Sequence, residues 1–219
     1  LVGLLAAYSF GSREKTTRKR AFALTAWTMT RNTHRSLGEC VNGVLSDDRH
    51  DGKEIDRLYT NLNFLTKATE KLLDFPSQEL NNSPLLEFSD YRQTIKNITD
   101  TLIYITSDVT KTPSSSQIDS LVAECSKVDL HFYKFRVSLG PINKRMIERD
   151  PFGEDQIYIF WTPILKARES TLTSIPGSPA EAAHVRRMLK RSEARSIDLR
   201  RRTHASHGSG PAPLTSSSS

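Results

Sequence analysis

An all-α fold, an up-down four-helix bundle followed by an aromatic segment and a disordered basic tail, is what this sequence predicts, and three observations carry it. Four successive segments repeat apolar residues at alternating spacings of three and four, which lines one stripe of side chains along a helix and suits packing against neighbours. Capping and helix-stopping residues fall at the ends of these segments. The connections are about five to ten residues long, lengths that favour antiparallel neighbours over long crossovers.

The first ten residues, LVGLLAAYSF, are apolar and lead into the strongly basic REKTTRKR. Ten residues are too few to span a bilayer, which takes about 20. The chain does not begin with Met, so two readings stand. The segment is either the end of a longer hydrophobic stretch, in which case the basic flank places the rest of the protein on the cytoplasmic side, or an apolar cap packed on the bundle. It differs from a complete signal peptide, whose charges precede the apolar run.

The first helix uses Phe22, Ala26, Met29, Thr33, Leu37, Cys40 and Val44, with Gly38 and Gly43 leaving its end open. The second uses Ile55, Leu58, Leu62, Leu65, Thr69 and Leu72, widened by Tyr59 and Leu73. Asp51 and Glu54 offer it a capping box, and Pro76 comes after it. In the third, Phe88, Tyr91, Ile95, Ile98, Leu102 and Ile105 keep the spacing without a miss, with Ser83 and Pro84 at the start and Pro113 beyond the end. The fourth runs through Ile118, Leu121, Cys125, Val128, Phe132, Phe135 and Leu139. Ser114 to Ser116 cap it, and Gly140-Pro141 pairs a residue that tolerates a left-handed cap with one that cannot continue a helix.

Beyond the bundle, Ile157, Phe160, Trp161, Ile164 and Leu165 predict a docking segment, either a helix kinked at Pro163 or an extended piece laid across the bundle. Pro176, Gly177 and Pro179 then punctuate the chain. The basic stretch 180–202 has helical spacing, with Val185, Met188 and Leu189 on one side, and the last residues, SHGSGPAPLTSSSS, are of low complexity. The expected division is an apolar segment at 1–12, the four-helix bundle at 13–140, a docking segment at 141–170 and a basic, largely disordered tail at 171–219.

The net charge of +6 is uneven. Lys and Arg outnumber Asp and Glu by 7 to 2 over 11–45 and by 8 to 3 over 171–219, whereas 46–112 carries 8 basic and 12 acidic residues. Basic ends on a mildly acidic centre suit an anionic surface, with a solvated basic tail as the plain alternative.

Catalytic constellations are missing from the sequence: it holds no phosphate-cradling glycine loop, no G-x-S-x-G, no H-E-x-x-H and no C-x-x-C. Neither a cofactor nor a metal is expected, and the chain is read as no enzyme. His204 and His207 have ligand-like spacing without a third partner. His131 reads as a packed or surface side chain, and Asp47, Asp48 and Asp51 as a solvated turn. Glu124 and Asp129 flank Cys125 with no histidine at helical spacing. The two cysteines, Cys40 and Cys125, fall on apolar faces and read as buried thiols. The sequons at Asn81 and Asn97 would be silent in a cytoplasmic bundle.

These observations lead to a non-enzymatic helical interaction or scaffold module. Its partner is a protein, and Arg18, Lys19, Arg20, Arg186, Arg187, Lys190 and Arg191 would hold it at an anionic membrane surface, with Val185, Met188 and Leu189 as an apolar anchor. The alternative is a structural subunit of a larger assembly, such as an organellar one. A third reading, a nonspecific nucleic-acid binder, is weakened because 180–202 contains no aromatic residue on which a base would stack.

Overall fold

The computed structural model describes residues 2–46, 52–80, 82–107, 112–140, 154–173 and 175–207. These residues form a helical bundle without strands. The helices are α1 (Val2–Leu45), α2 (Gly52–Asp74), α3 (Asn82–Thr106), α4 (Ser115–Ser138), α5 (Glu154–Thr171) and α6 (Pro179–His207), with a 3-10 turn at Ser77–Glu79. Asp47, Asp48, Asp51 and Asn81, and so the expected cap of α2 and one sequon, lie outside the described residues.

The apolar spacing read from the sequence becomes the core. Leu62, Leu65 and Leu72 of α2, Phe88, Tyr91, Ile95, Ile98 and Leu102 of α3, and Leu121, Cys125, Val128, Phe132, Phe135 and Leu139 of α4 are all buried in one cluster. α1 packs on α2, α2 on α3, α3 on α4 and α4 back on α1. α5 lies against both α1 and α4, and α6 packs on α5 and α4.

The α4 boundaries follow local chemistry. Ser114 accepts at Oγ from the Gln117 backbone N–H (3.3 Å), while the Ser114 N–H donates to Gln117 Oε1 (2.8 Å), a reciprocal capping box. At the other end Gly140 takes φ +61°, the left-handed conformation that glycine adopts without a Cβ penalty. α6 has a cap that the sequence reading passed over: the Glu181 N–H donates to Ser178 Oγ (3.1 Å), just ahead of Pro179 in the first turn.

Two expectations change, and the choice left open for the aromatic segment falls to the helix. α1 runs unbroken from Val2 to Leu45, so residues 2–12 of the apolar segment are continuous in backbone with the first bundle helix, and Gly38 and Gly43 do not end it. The segment at 157–165 is part of a helix, with Pro163 inside it and Trp161, Ile164 and Leu165 buried. Residues 171–219, expected as a largely disordered tail, are helical over Pro179–His207, because Val185, Met188 and Leu189 find a core to enter. Residues 208–219 lie outside the described residues. No helix of the described residues is long and apolar enough to cross a membrane.

Gly38 is where α5 comes closest to α1. A Cβ at this position would stand 2.9 Å from Phe160 Cβ and 3.0 Å from Trp161 Nε1. Next to it, Asn42 Nδ2 donates to the Phe160 carbonyl (2.6 Å). Gly38→Ala gains about 1 kcal/mol of helix propensity but loses about 1–3 kcal/mol to overpacking. We expect a net loss of about 1 kcal/mol in urea unfolding, and a stabilised variant would contradict the close approach.

Candidate anionic-partner interface

α6 is held by two polar anchors as well as by Val185, Met188 and Leu189. In the first, Arg168 Nε of α5 donates to Glu181 Oε1 (2.9 Å), with both side chains almost wholly buried. Ser126 of α4 donates to the same carboxylate oxygen. Arg168 Nη1 also donates to the Ile175 carbonyl (3.0 Å) and to Thr171 Oγ1 (3.3 Å), so the guanidinium ties the α5–α6 turn to its own helix. A buried charge is tolerable only when paired and hydrogen-bonded in this way.

The second anchor centres on Asp129 of α4. Its two oxygens accept from His34 Nε2 of α1 (3.1 Å) and from His184 Nε2 of α6 (2.7 Å), with all three side chains closed to solvent. Arg187 Nη2 lies 3.3 Å from His184 Nδ1. Because arginine is only a donor, that nitrogen accepts and Nε2 carries the hydrogen given to Asp129. The His34 ring is sandwiched between Phe132 (3.9 Å, 3°) and Trp161 (4.0 Å, 5°), and Trp161 Nε1 donates to the His34 carbonyl (3.1 Å). One carboxylate thus joins α1, α4 and α6, and one imidazole joins α1, α4 and α5.

The electrostatics match this arrangement. Burial pushes the Asp129 carboxyl up, but the hydrogen bonds from His184 and His34 outweigh it and hold the group at about 2. Burial lowers His34 below its ordinary value, against the pull of Asp129. Burial also raises both thiols, Cys40 to about 12 and Cys125 well above its usual range. Both cysteines are free and buried, as their apolar positions implied.

With its inner face fixed, α6 leaves Arg186, Arg187, Lys190 and Arg191 exposed along its outer side. With Ala183 and Ala194 they line an open groove of about 540 Å³. Arg187 and Arg191 lie over the Tyr133 ring of α4, at 4.4 and 5.8 Å from its centroid, which steadies two long side chains. None of the four is within ion-pair distance of a carboxylate among the described residues.

Four of the seven residues expected at an anionic contact are therefore gathered on one helix face. The other three, Arg18, Lys19 and Arg20, are exposed on α1. Arg18 sits over Phe22 at 5.9 Å. α1 and α6 have no extensive mutual interface, so the two clusters are not joined. Val185, Met188 and Leu189, expected as a membrane anchor, face the bundle and are buried, and the outer face has only charge to offer.

His34, Asp129, Trp161, Arg168, Glu181 and His184 were missed as a group. A signal was present: His34 lies four residues after Thr30 and three before Leu37, Asp129 four after Cys125 and three before Phe132, all on buried faces. Polar residues on a core stripe require partners. Here the partners are far away in sequence. The side chains of His204 and His207 lie outside the described residues.

Comparison of the chain with protein-family models, curated proteins and solved structures finds no match in any of the three.

Proposed function

We propose that this chain is a non-enzymatic interaction module, an up-down four-helix bundle braced by two further helices, which uses the outer face of α6 to sit on an anionic membrane surface while another face engages a protein partner. The observation that carries this reading is the set of four cationic side chains, Arg186, Arg187, Lys190 and Arg191, without a carboxylate partner among the described residues, on a helix anchored from behind. A fixed helix presents its charges together at little further entropic cost, and each Lys or Arg near an anionic surface contributes about 1 kcal/mol. The burial of His34, Asp129, His184 and both cysteines supports structural rather than catalytic duties for them.

Sedimentation with anionic vesicles tests the proposal. Replacing the four residues together with glutamine is expected to weaken binding by at least tenfold and up to about a thousandfold, and raised salt should weaken the parent likewise. A parent that ignores anionic vesicles at low salt, or a variant that binds as well as its parent, would end the membrane reading. Duplex DNA and RNA are the contrasting ligands, and tight salt-sensitive binding to either would favour a nucleic-acid binder instead. Tyr133, the ring beside this face, has Arg187 and Arg191 over it, which disfavours base stacking.

A second reading, a subunit of a larger assembly, draws on Phe64, Leu86, Tyr104 and Val137, which are 59–73% exposed. Such apolar side chains suit a protein interface.

A further inference from the structure

Glu87 and Asp90 are one turn apart on α3 and face His131 of α4, and one donor atom from each lies within 4.8 Å of the other two. The direct pairing does not satisfy them. His131 Nδ1 stands 4.0 Å from Asp90 Oδ2, beyond hydrogen-bond reach. Glu87 Oε2 and His131 Nδ1 are closed to solvent and have no hydrogen-bond partner. Orphaned buried polar atoms are uncommon and costly in folded proteins, and two of them meeting at one cluster call for something to fill the gap.

We propose that Glu87, Asp90 and His131 form a binding site for a divalent transition-metal ion of the zinc type, bridging α3 and α4. Two carboxylates and one imidazole are a mixed oxygen and nitrogen donor set, which suits a borderline ion. Calcium and magnesium prefer oxygen alone, and no thiolate is present to select a softer ion. Two negative charges match the charge of the ion. Three protein donors leave a fourth position for water or for a group from a partner.

Donors around a tetrahedral zinc ion stand about 3.4 Å apart, so the three groups must close by about 1 Å. Asp90, whose side chain is 62% exposed, has the freedom to do so.

The test is calorimetric titration of the full chain with zinc chloride, carrying His204→Gln and His207→Gln so that the tail histidines do not contribute. One ion per chain is expected, and His131→Gln or Glu87→Gln should each weaken binding by at least about tenfold. Zinc should raise the melting temperature of the parent and not of these variants, while circular dichroism shows that both remain folded. An absence of saturable zinc binding, or an unchanged affinity in His131→Gln, would overturn the site. Magnesium binding as tight as zinc would overturn the assignment of the ion.

Discussion

Asp129→Ala is expected to destabilise the protein by about 3–5 kcal/mol, because it leaves the Nε2–H groups of His34 and His184 buried with nothing to accept them. Asp129→Asn preserves shape but supplies one acceptor oxygen where two are needed, and its loss should be smaller, about 1–3 kcal/mol. Urea unfolding at pH 7.5 measures both. A loss under about 1 kcal/mol for the alanine variant would show that the carboxylate is not the junction of α1, α4 and α6.

The same network sets the acid sensitivity of the fold. His34 is lowered in the folded state, so the unfolded chain takes up the proton first. Stability is full above the unfolded value of about 6.5 and declines as pH falls below it. Asp129, held at about 2 against an ordinary 3.8, contributes stability that is present above 3.8 and lost as pH falls toward 2. That second loss is about 2 kcal/mol, and it should be missing from Asp129→Ala.

Ile95→Asp and Phe132→Asp should each abolish folding. Ile95 is fully buried, and Phe132 packs between Trp27 (5.2 Å) and the His34 ring. An acid at either position is buried without a partner, and the apolar contacts of the side chain it replaces are lost as well; the combined cost rivals the ordinary stability of a domain, about 5–15 kcal/mol. Circular dichroism should show helicity and cooperative melting lost for both variants. Parent-like melting would mean that the apolar stripes are not the core.

The helices and their inner faces were legible from the order of residues alone. Ile95, Ile98 and Leu102 of α3 and Val128, Phe132 and Phe135 of α4 are buried where the spacing put them, because a helix brings residues three and four apart onto one side whatever lies opposite. The stop at Gly140 and the cap at Ser114 were legible for the same reason: each is a contact within a few residues. The cationic side chains of α6 were legible as a cluster, because charge is a property of composition.

Which residues meet across helices emerged only from the packed bundle. Asp129 had no histidine at helical spacing, yet it receives His34 from 95 residues before and His184 from 55 residues after. Gly38 looked like a weak helix end and is the gap into which α5 fits. Val185, Met188 and Leu189 looked like a short apolar anchor for a solvated tail, and they enter the core because α4 and α5 together provide a surface that no local pattern announces. Periodicity is a local property of the chain, whereas the choice of partner depends on how the helices cross, and that is settled by packing over the whole bundle.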